Sequence, residues 1–363
     1  MRVLQCIDTL GGGGAERQLI YLVEGLVRLG LEVDVVYLLE GTHAARLAAS
    51  GATLHPLGWR TPLPLVADLC RIIRRRDVDV VQTWLGRMGA AGGMAGQLTR
   101  RPWLYCERSV GGERGWRAWL RRLLATGAAA VVANSHAGAA AWRDRAGARV
   151  HVVPNGVELE AIVAAPTASR AALGLADDAE LIVYAGRFVA PKNIPVLAAA
   201  LAGVLVARPR AVALVCGDGV ELPAFRAAVD GAGVGPRCHT RGYRDDLWSL
   251  IKAADLLFAP SLHEGRPNVV LEAMACRCPL VLSEIAAHRE CVPRAAALWF
   301  DPARAADAVA VLGRCLDDRA SARGRADIAF QAVRDQSVDE MARAYARLYQ
   351  RLLAPDGGSA PRA

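Results

Sequence analysis

Lysine is nearly missing from this 363-residue chain: Lys192 and Lys252 are the only two, so the net charge of +8 is carried by arginine. Such a bias follows genome composition as readily as function, and no nucleic-acid-binding motif accompanies it, so a nucleic-acid partner is not expected. Long apolar runs are also missing. A spanning helix needs roughly 18 consecutive apolar residues; the nearest stretch, 125–141, is interrupted by Asn134, Ser135 and His136. An integral membrane protein is therefore not expected. The start, Met1-Arg-Val-Leu-Gln-Cys-Ile-Asp8, has no apolar leader or small-residue cleavage site and runs straight into a strand pattern, which points to the cytoplasm. The nine cysteines lack paired spacing and lie mostly in apolar runs such as 214–216, as small buried hydrophobes do in a reducing compartment. Cys276 and Cys278 form a lone Cys-x-Cys with no second ligand pair, so no zinc site is expected there.

What is present is enough apolar material, 53% of the residues, for two cores, and a length beyond which one core usually stops growing. Apolar strand runs alternate with amphipathic stretches, which predicts α/β architecture with parallel sheets. Strands are expected at 3–7, 33–38, 78–83, 103–106, 130–133 and 151–153, then at 181–185, 211–216, near 239–241, and at 255–259, 280–283 and 298–300. An acidic, Ala/Pro-rich passage at 158–178 separates the two series. The expected domains are 1–160 and 161–337, followed by a long amphipathic helix at 338–353 and a disordered Pro/Gly/Ser-rich tail at 354–363.

The most informative stretch is 260–279, Pro-Ser-Leu-His-Glu-Gly-Arg-Pro-Asn-Val-Val-Leu-Glu-Ala-Met-Ala-Cys-Arg-Cys-Pro. A buried strand at 255–259 leads into a Gly/Pro loop, and Asn268 is expected to cap a helix running to about Arg277. The amides of Asn268, Val269 and Val270 would then be left unpaired at a helix start, which suits a diphosphate. Glu264 and Glu272 flank that place, each suited to accept hydroxyl hydrogen bonds; taken alone, the pair also fits a solvated loop acid and a helix-face acid. Upstream, 184–193 (Tyr-Ala-Gly-Arg-Phe-Val-Ala-Pro-Lys-Asn) sets Arg187 and Lys192 around another helix start, with Asn193 as its cap. Two cations there match the charge that builds on a departing diphosphate. Consecutive glycines at 11–14 form a turn after the first strand that lacks the spacing of a nicotinamide fingerprint, because Glu16 stands where a glycine is wanted.

Glu264-Gly-Arg-Pro-Asn-Val-Val-Leu-Glu-Ala-Met-Ala275 closely resembles the donor-site signature of the retaining, nucleotide-sugar-dependent GT-B glycosyltransferases of family 4. The Gly-Arg and Lys pair at Arg187 and Lys192 resembles the same family, as do the Gly-Gly-x-Glu loop at Gly13 and Gly14, the 214–219 turn with Gly217, and the segment at Gly242 and Tyr243. The resemblance runs in order from Gly11 to Pro279. It implies two facing Rossmann-like doubly wound domains, the donor site in the inter-domain cleft, an N-terminal acceptor domain and a final helix crossing back onto it. It implies Arg187, Lys192 and Glu264 as catalytic residues. Gly13, Gly14, Gly217, Gly242, Tyr243, Gly265, Arg266, Pro267, Asn268, Val269, Val270 and Glu272 would bind a donor, with a UDP- or GDP-sugar expected.

The same resemblance implies no metal and no cofactor, in keeping with an Asp77-Val-Asp79 that precedes its strand instead of following it. Gln82, Trp84, Glu107, Arg108 and Ser109, at expected strand ends, are the acceptor-site candidates; the histidine that many family members carry there is replaced by Glu107, Arg108 and Ser109. The expected acceptor is a hydroxyl of a glycan or lipid-linked sugar in cell-surface polysaccharide or glycolipid synthesis. A nucleotide-sugar binding protein without transfer, or a nucleotide-sugar epimerase or hydrolase, are the alternatives. Arginine clusters at 71–76 and 117–122, the latter interleaved with Trp116 and Trp119, read either as solvated helix faces or as a surface touching anionic lipid at the inner face of the plasma membrane.

Overall fold

The computed structural model describes residues 1–84, 86–108, 123 and 125–354. Ser109, the 116–122 cluster and the 355–363 part of the tail lie outside the described residues. The chain divides into two compact units, Met1–Gly156 with Gln336–Ala363, and Val157–Asp335. The first crossing thus falls at 156/157 and not at 160/161, because Gly156 is held in the first unit by bonds to Gln18.

The first unit holds a sheet of β1 (Arg2–Thr9), β2 (Glu32–Leu39), β3 (Thr53–Pro56), β4 (Val80–Trp84), β5 (Trp103–Glu107), β6 (Ala130–Ala133) and β7 (Val150–Val152), in the order β3-β2-β1-β4-β5-β6-β7. Each neighbouring pair is parallel. Its central strands are buried along most of their length, and mostly apolar, because helices cover both faces. The edge strand β3 was not anticipated: Thr-Leu-His-Pro is half-exposed and ends in proline, which removes most of the strand signal.

Helix Val338–Leu353 belongs to this unit. Val338, Met341, Ala342, Tyr345, Leu348 and Tyr349 fall on one stripe at helical spacing and are buried, and Ser337 caps the start by accepting from the Glu340 amide at 3.1 Å. It packs against helix Gly14–Arg28 so closely that a Cβ on Gly25 would lie 2.6 Å from the Ala342 Cβ.

The second unit repeats the plan with β8 (Glu180–Ala185), β9 (Ala211–Cys216), β10 (Cys238–Thr240), β11 (Leu256–Ala259), β12 (Leu280–Ser283) and β13 (Leu298–Phe300), ordered β10-β9-β8-β11-β12-β13 and parallel throughout. Ala190–Ala207 is long and apolar enough to cross a membrane by length and composition, although Pro191, Lys192 and Asn193 interrupt its apolar run. Here Leu197, Leu201, Val204 and Leu205 are buried in the unit's core. In each unit the winding reverses once, between β1 and β4 and between β8 and β11. Parallel doubly wound sheets leave a crevice at the strands' carboxyl ends at that point. All nine cysteines are buried and unpaired.

Candidate functional site

At the reversal point of the second unit, β8 and β11 end side by side, and their following loops carry Arg187, Lys192 and Glu264. The Lys192 ammonium lies 2.5 Å from Glu264 Oε1, and Ser261 Oγ donates to the same oxygen at 2.7 Å. No described group bonds Oε2. The pair is largely withdrawn from solvent, with side chains 18% and 12% exposed. Burial alone would push the Glu264 carboxyl up; the Lys192 charge and hydrogen bond, then the Ser261 hydroxyl, outweigh it and hold the group below its ordinary value. Arg187 is exposed, and its guanidinium has no partner among the described residues. One cation is thus committed to a carboxylate and the other is uncommitted.

Backbone and side-chain ties fix the two loops to each other. Leu262 N donates to Pro191 O at 2.8 Å. Asn193 occupies the N-cap of helix Ile194–Ala207, as expected, but in the left-handed region (φ 58°) and without a capping side-chain bond. Its amide instead donates to Pro260 O (3.1 Å) and Pro302 O (2.8 Å), joining the ends of β11 and β13.

The helix after the loop is Asn268–Ala275, shorter than expected, and its N-cap is Pro267. Asn268 is therefore the first helical residue and not the cap. Of the three amides expected to be unpaired, that of Val270 donates to Pro267 O at 3.1 Å, which closes the first turn tightly. Gly265, Arg266 and Val269 are partly buried beside it. Arg266 Nη1 stands 4.0 Å from Glu290 Oε1, and burial lowers its affinity for a proton despite Glu290. Glu272 is buried on this helix.

Gly217 and Gly219 are required by the fold of their own unit. Gly217 has φ 132° and a Cβ there would lie 2.0 Å from Gly186 O; Gly219 has φ 152° and its Cβ would lie 2.4 Å from Phe188 O. Their close approach is to the chain's own β8 loop, which is sewn to them by Gly186 N→Cys216 O (3.0 Å) and Phe188 N→Asp218 O (2.8 Å). Gly242, in the left-handed region, accepts from Gly217 N at 2.7 Å. Tyr243 beyond it is exposed. These turns therefore hold Arg187 at the rim.

In the first unit, Gly13 is the N-cap and Gly14 the first residue of helix Gly14–Arg28. The other helix start at the reversal point, that of Gly86–Leu98, is already occupied: Asp8 accepts from the amides of Arg87 (2.9 Å) and Met88 (2.7 Å). A helix start satisfied by the chain's own carboxylate is poorly placed to take an anion.

Gln82 and Trp84 are fully buried. Tyr349 bonds Gln82, Trp84 Nε1 donates to Gln5 Oε1 at 2.7 Å, and the Arg108 guanidinium lies over the Trp84 ring at 4.3 Å. With no exposed surface, these two acceptor candidates brace β4 against helix Val338–Leu353. Arg108 also donates to Asn155 Oδ1 (2.8 Å) and Tyr345 OH (3.0 Å), and Glu107 accepts from Trp142 Nε1 (3.3 Å). Of the arginines at 71–76, Arg71 pairs with Asp68 and Arg76 with Asp34 at 2.9 Å. Among the described residues no three or more His, Cys, Asp or Glu gather as a metal site would require.

Sequence reasoning missed Ser261, Ser283 and His288. Ser261 lies three residues before Glu264, a spacing that lets a hydroxyl reach back; the other two gave no signal, since a lone histidine in an apolar segment reads as core.

Comparisons with known proteins bear on the family and the fold. A family model described as Glycosyltransferase Family 4 matches residues 12–161, and one described as Glycosyl transferases group 1 matches residues 179–318. The chain is 32% identical over 215 residues to a D-inositol 3-phosphate glycosyltransferase of Mycobacterium avium (strain 104), covering 55% of this chain and 50% of that protein. It is 30% identical over 146 residues to the UDP-Gal:alpha-D-GlcNAc-diphosphoundecaprenol alpha-1,3-galactosyltransferase of Escherichia coli, covering 38% and 37%. The matches thus span at most about half the length of these relatives. In fold, the chain is similar to Anabaena Alr3699/HepE solved with UDP, at TM-score 0.83 and 21% identity over 96% of this chain and 100% of that one.

Proposed function

Because the chain belongs to the family 4, group 1 glycosyltransferases and has their GT-B type of paired parallel-sheet units, we propose that it transfers a hexose from a nucleotide diphosphate-sugar to a hydroxyl acceptor, with retention at the anomeric carbon. The observation that carries this reading is the β8/β11 reversal point. An uncommitted guanidinium, a lysine held by a buried carboxylate and a helix start converge on one loop cluster there. On this reading Arg187 and Lys192 stabilise the charge that builds on the leaving diphosphate. Glu264 keeps Oε1 on Lys192 and Ser261 and offers Oε2 to sugar hydroxyls, while Glu272 holds the ribose. As the glycosidic bond breaks, the acceptor oxygen attacks the face from which the diphosphate departs, and the leaving phosphate oxygen takes the acceptor proton. These two cations supply the counter-charge, so on this reading the reaction needs no metal.

A UDP-sugar is the first donor to test, in line with the E. coli relative's name; GDP-sugars come second. The acceptor we propose is a glycan or lipid-linked sugar presented at the cytoplasmic face of the membrane, with the first unit supplying its site.

A thermal-shift panel of UDP, GDP, ADP and dTDP with their common sugars, run in EDTA and again with magnesium, tests the donor half. A ligand at a hundred times its Kd adds about 2.7 kcal/mol. Equal stabilisation by one nucleotide in both buffers is the expected result, and silence from every nucleotide overturns the reading. Proton NMR of the product then reports retention, and product formation without an acceptor would turn the assignment towards a hydrolase or epimerase.

A further inference from the structure

Behind Glu264 lies a chain of buried hydrogen bonds that no part of the proposed reaction uses directly. Glu264 Oε1 accepts from Ser261 Oγ at 2.7 Å. The carbonyl of that same Ser261 accepts from Ser283 Oγ at 2.6 Å, at the end of β12. Ser283 in turn receives His288: the imidazole Nδ1 lies 2.9 Å from the Ser283 carbonyl and 3.2 Å from its Oγ.

A carbonyl only accepts, so Nδ1 carries the proton and donates to it. The Ser283 hydroxyl spends its own proton on Ser261 and can accept from the same Nδ1–H. That assignment leaves a lone pair on Nε2, which is buried with no hydrogen-bond partner among the described residues. Ser261, Ser283 and His288 are all buried. Burial keeps the imidazole neutral, with Glu264 and Lys192 near enough to pull on it in opposite directions. A buried histidine that spends its one proton on a strand-end serine is costly as mere filling, since its other nitrogen goes unsatisfied.

We propose that His288 is a positioning residue for Glu264, acting through Ser283 and Ser261. Fixed by Nδ1, Ser283 holds the Ser261 carbonyl, and hence the turn from which the Ser261 hydroxyl and Glu264 project. The orientation of the Glu264 carboxylate towards Lys192 is thereby set from β12 and the segment after it. The inference rests on the proposed donor site, in which Glu264 reads the sugar and not the nucleotide.

Its signature is therefore a split between two ligands. In His288→Leu, affinity for the nucleoside diphosphate stays within about twofold of wild type, while affinity for the matching nucleotide-hexose falls about tenfold, the scale of one misplaced charge-assisted hydrogen bond. His288→Asn restores a donor at the same bond separation from Cα as Nδ1 and recovers the sugar affinity to within about threefold of wild type on the same scale. The probes are UDP with UDP-glucose and UDP-galactose, and GDP with GDP-mannose, measured by calorimetry on the full chain, with circular dichroism to confirm folding.

An unchanged ratio of the two affinities in folded His288→Leu overturns the proposal. So does a His288→Asn that is folded but no better than the leucine variant. Should His288→Leu fail to fold, Ser283→Ala decides, because it cuts the link to Ser261 with a small residue; the same split is expected, and an unchanged ratio refutes the relay. Wild-type protein that binds neither nucleotide nor nucleotide-hexose is a different result: it removes the donor site itself, before any variant is compared.

Discussion

Replacing Lys192 by alanine separates two things that this lysine does. Among the described residues its ammonium is the one cation on a carboxylate with 12% of its side chain exposed, so removing it leaves a nearly buried charge without its counter-ion. Such losses run to about 3–5 kcal/mol for fully buried pairs. Here the Ser261 hydroxyl stays on Oε1 and both partners keep some solvent, so a loss of about 3 kcal/mol, the lower end of that range, is expected at pH 7 in urea unfolding. The pH dependence carries a sign. In wild type Glu264 is held below its ordinary value, so the pair's contribution is complete above about pH 4.5 and fades as pH falls through the folded value. In Lys192→Ala the burial effect loses its main opponent and the carboxyl rises, so the variant regains stability by protonation and the gap to wild type narrows from pH 7 towards pH 4.

Turnover should fall about a hundredfold to a thousandfold, the cost of one lost transition-state donor. The double variant Lys192→Ala/Glu264→Gln removes the unpaired charge and should recover about 2 kcal/mol of the stability but none of the turnover. Recovery of turnover together with stability would refute a role for Lys192 on the leaving group and reduce it to a counter-ion for Glu264.

Arg187→Ala, by contrast, removes an exposed guanidinium without a partner among the described residues, so unfolding should move by no more than about 0.5 kcal/mol while sugar transfer drops about a hundredfold; a stability loss comparable to that of Lys192→Ala would contradict the geometry. Gly217→Ala places a Cβ 2.0 Å from Gly186 O at φ 132°, and should cost about 3 kcal/mol from backbone strain and overlap together, with loss of nucleotide-induced stabilisation in the thermal-shift panel. Asp34, on β2 in the first unit, accepts from His55 Nε2 at 2.6 Å and Arg76 Nε at 2.9 Å. Burial pushes its carboxyl up, but these two partners outweigh that and hold it low. Asp34→Asn should cost about 3 kcal/mol at pH 7, less as pH falls below the carboxylate range, and leave nucleotide binding in the second unit unchanged by calorimetry.

The parallel α/β plan was legible because buried strands such as 211–216 and 256–259 are unbroken apolar runs, and hydrophobic burial on both faces demands nothing subtler. Helix 338–353 was legible for a similar reason: its stripe and its Ser337 cap are local. Strand β3 was not, since an edge strand is paired on one side and half-exposed, so its sequence need satisfy little. The cap at Asn268 was misplaced by one residue because Pro267 can open the helix without a side-chain bond.

Within the candidate site, the chain's own residues announced which groups carry charge: Arg187 and Lys192 near one helix start, Glu264 eight residues before Glu272. Sequence spacing could not say that Lys192 is committed to Glu264 while Arg187 is not, because the partners are 72 positions apart and meet only where β8 and β11 lie side by side. Nor could it separate glycines that approach a ligand from Gly217 and Gly219, which approach the chain's own backbone. Trp84 ends β4 as expected while Gln82 falls at its middle, and the packing of Tyr349 and Arg108 against them turns both inward. What the sequence alone determined was the periodic burial that makes two parallel sheets and the inventory of cations and carboxylates at their strand ends. Which of those charges neutralise one another and which are left for a ligand was decided by the tertiary structure, since electrostatic pairing depends on distance in space and on the water excluded around it.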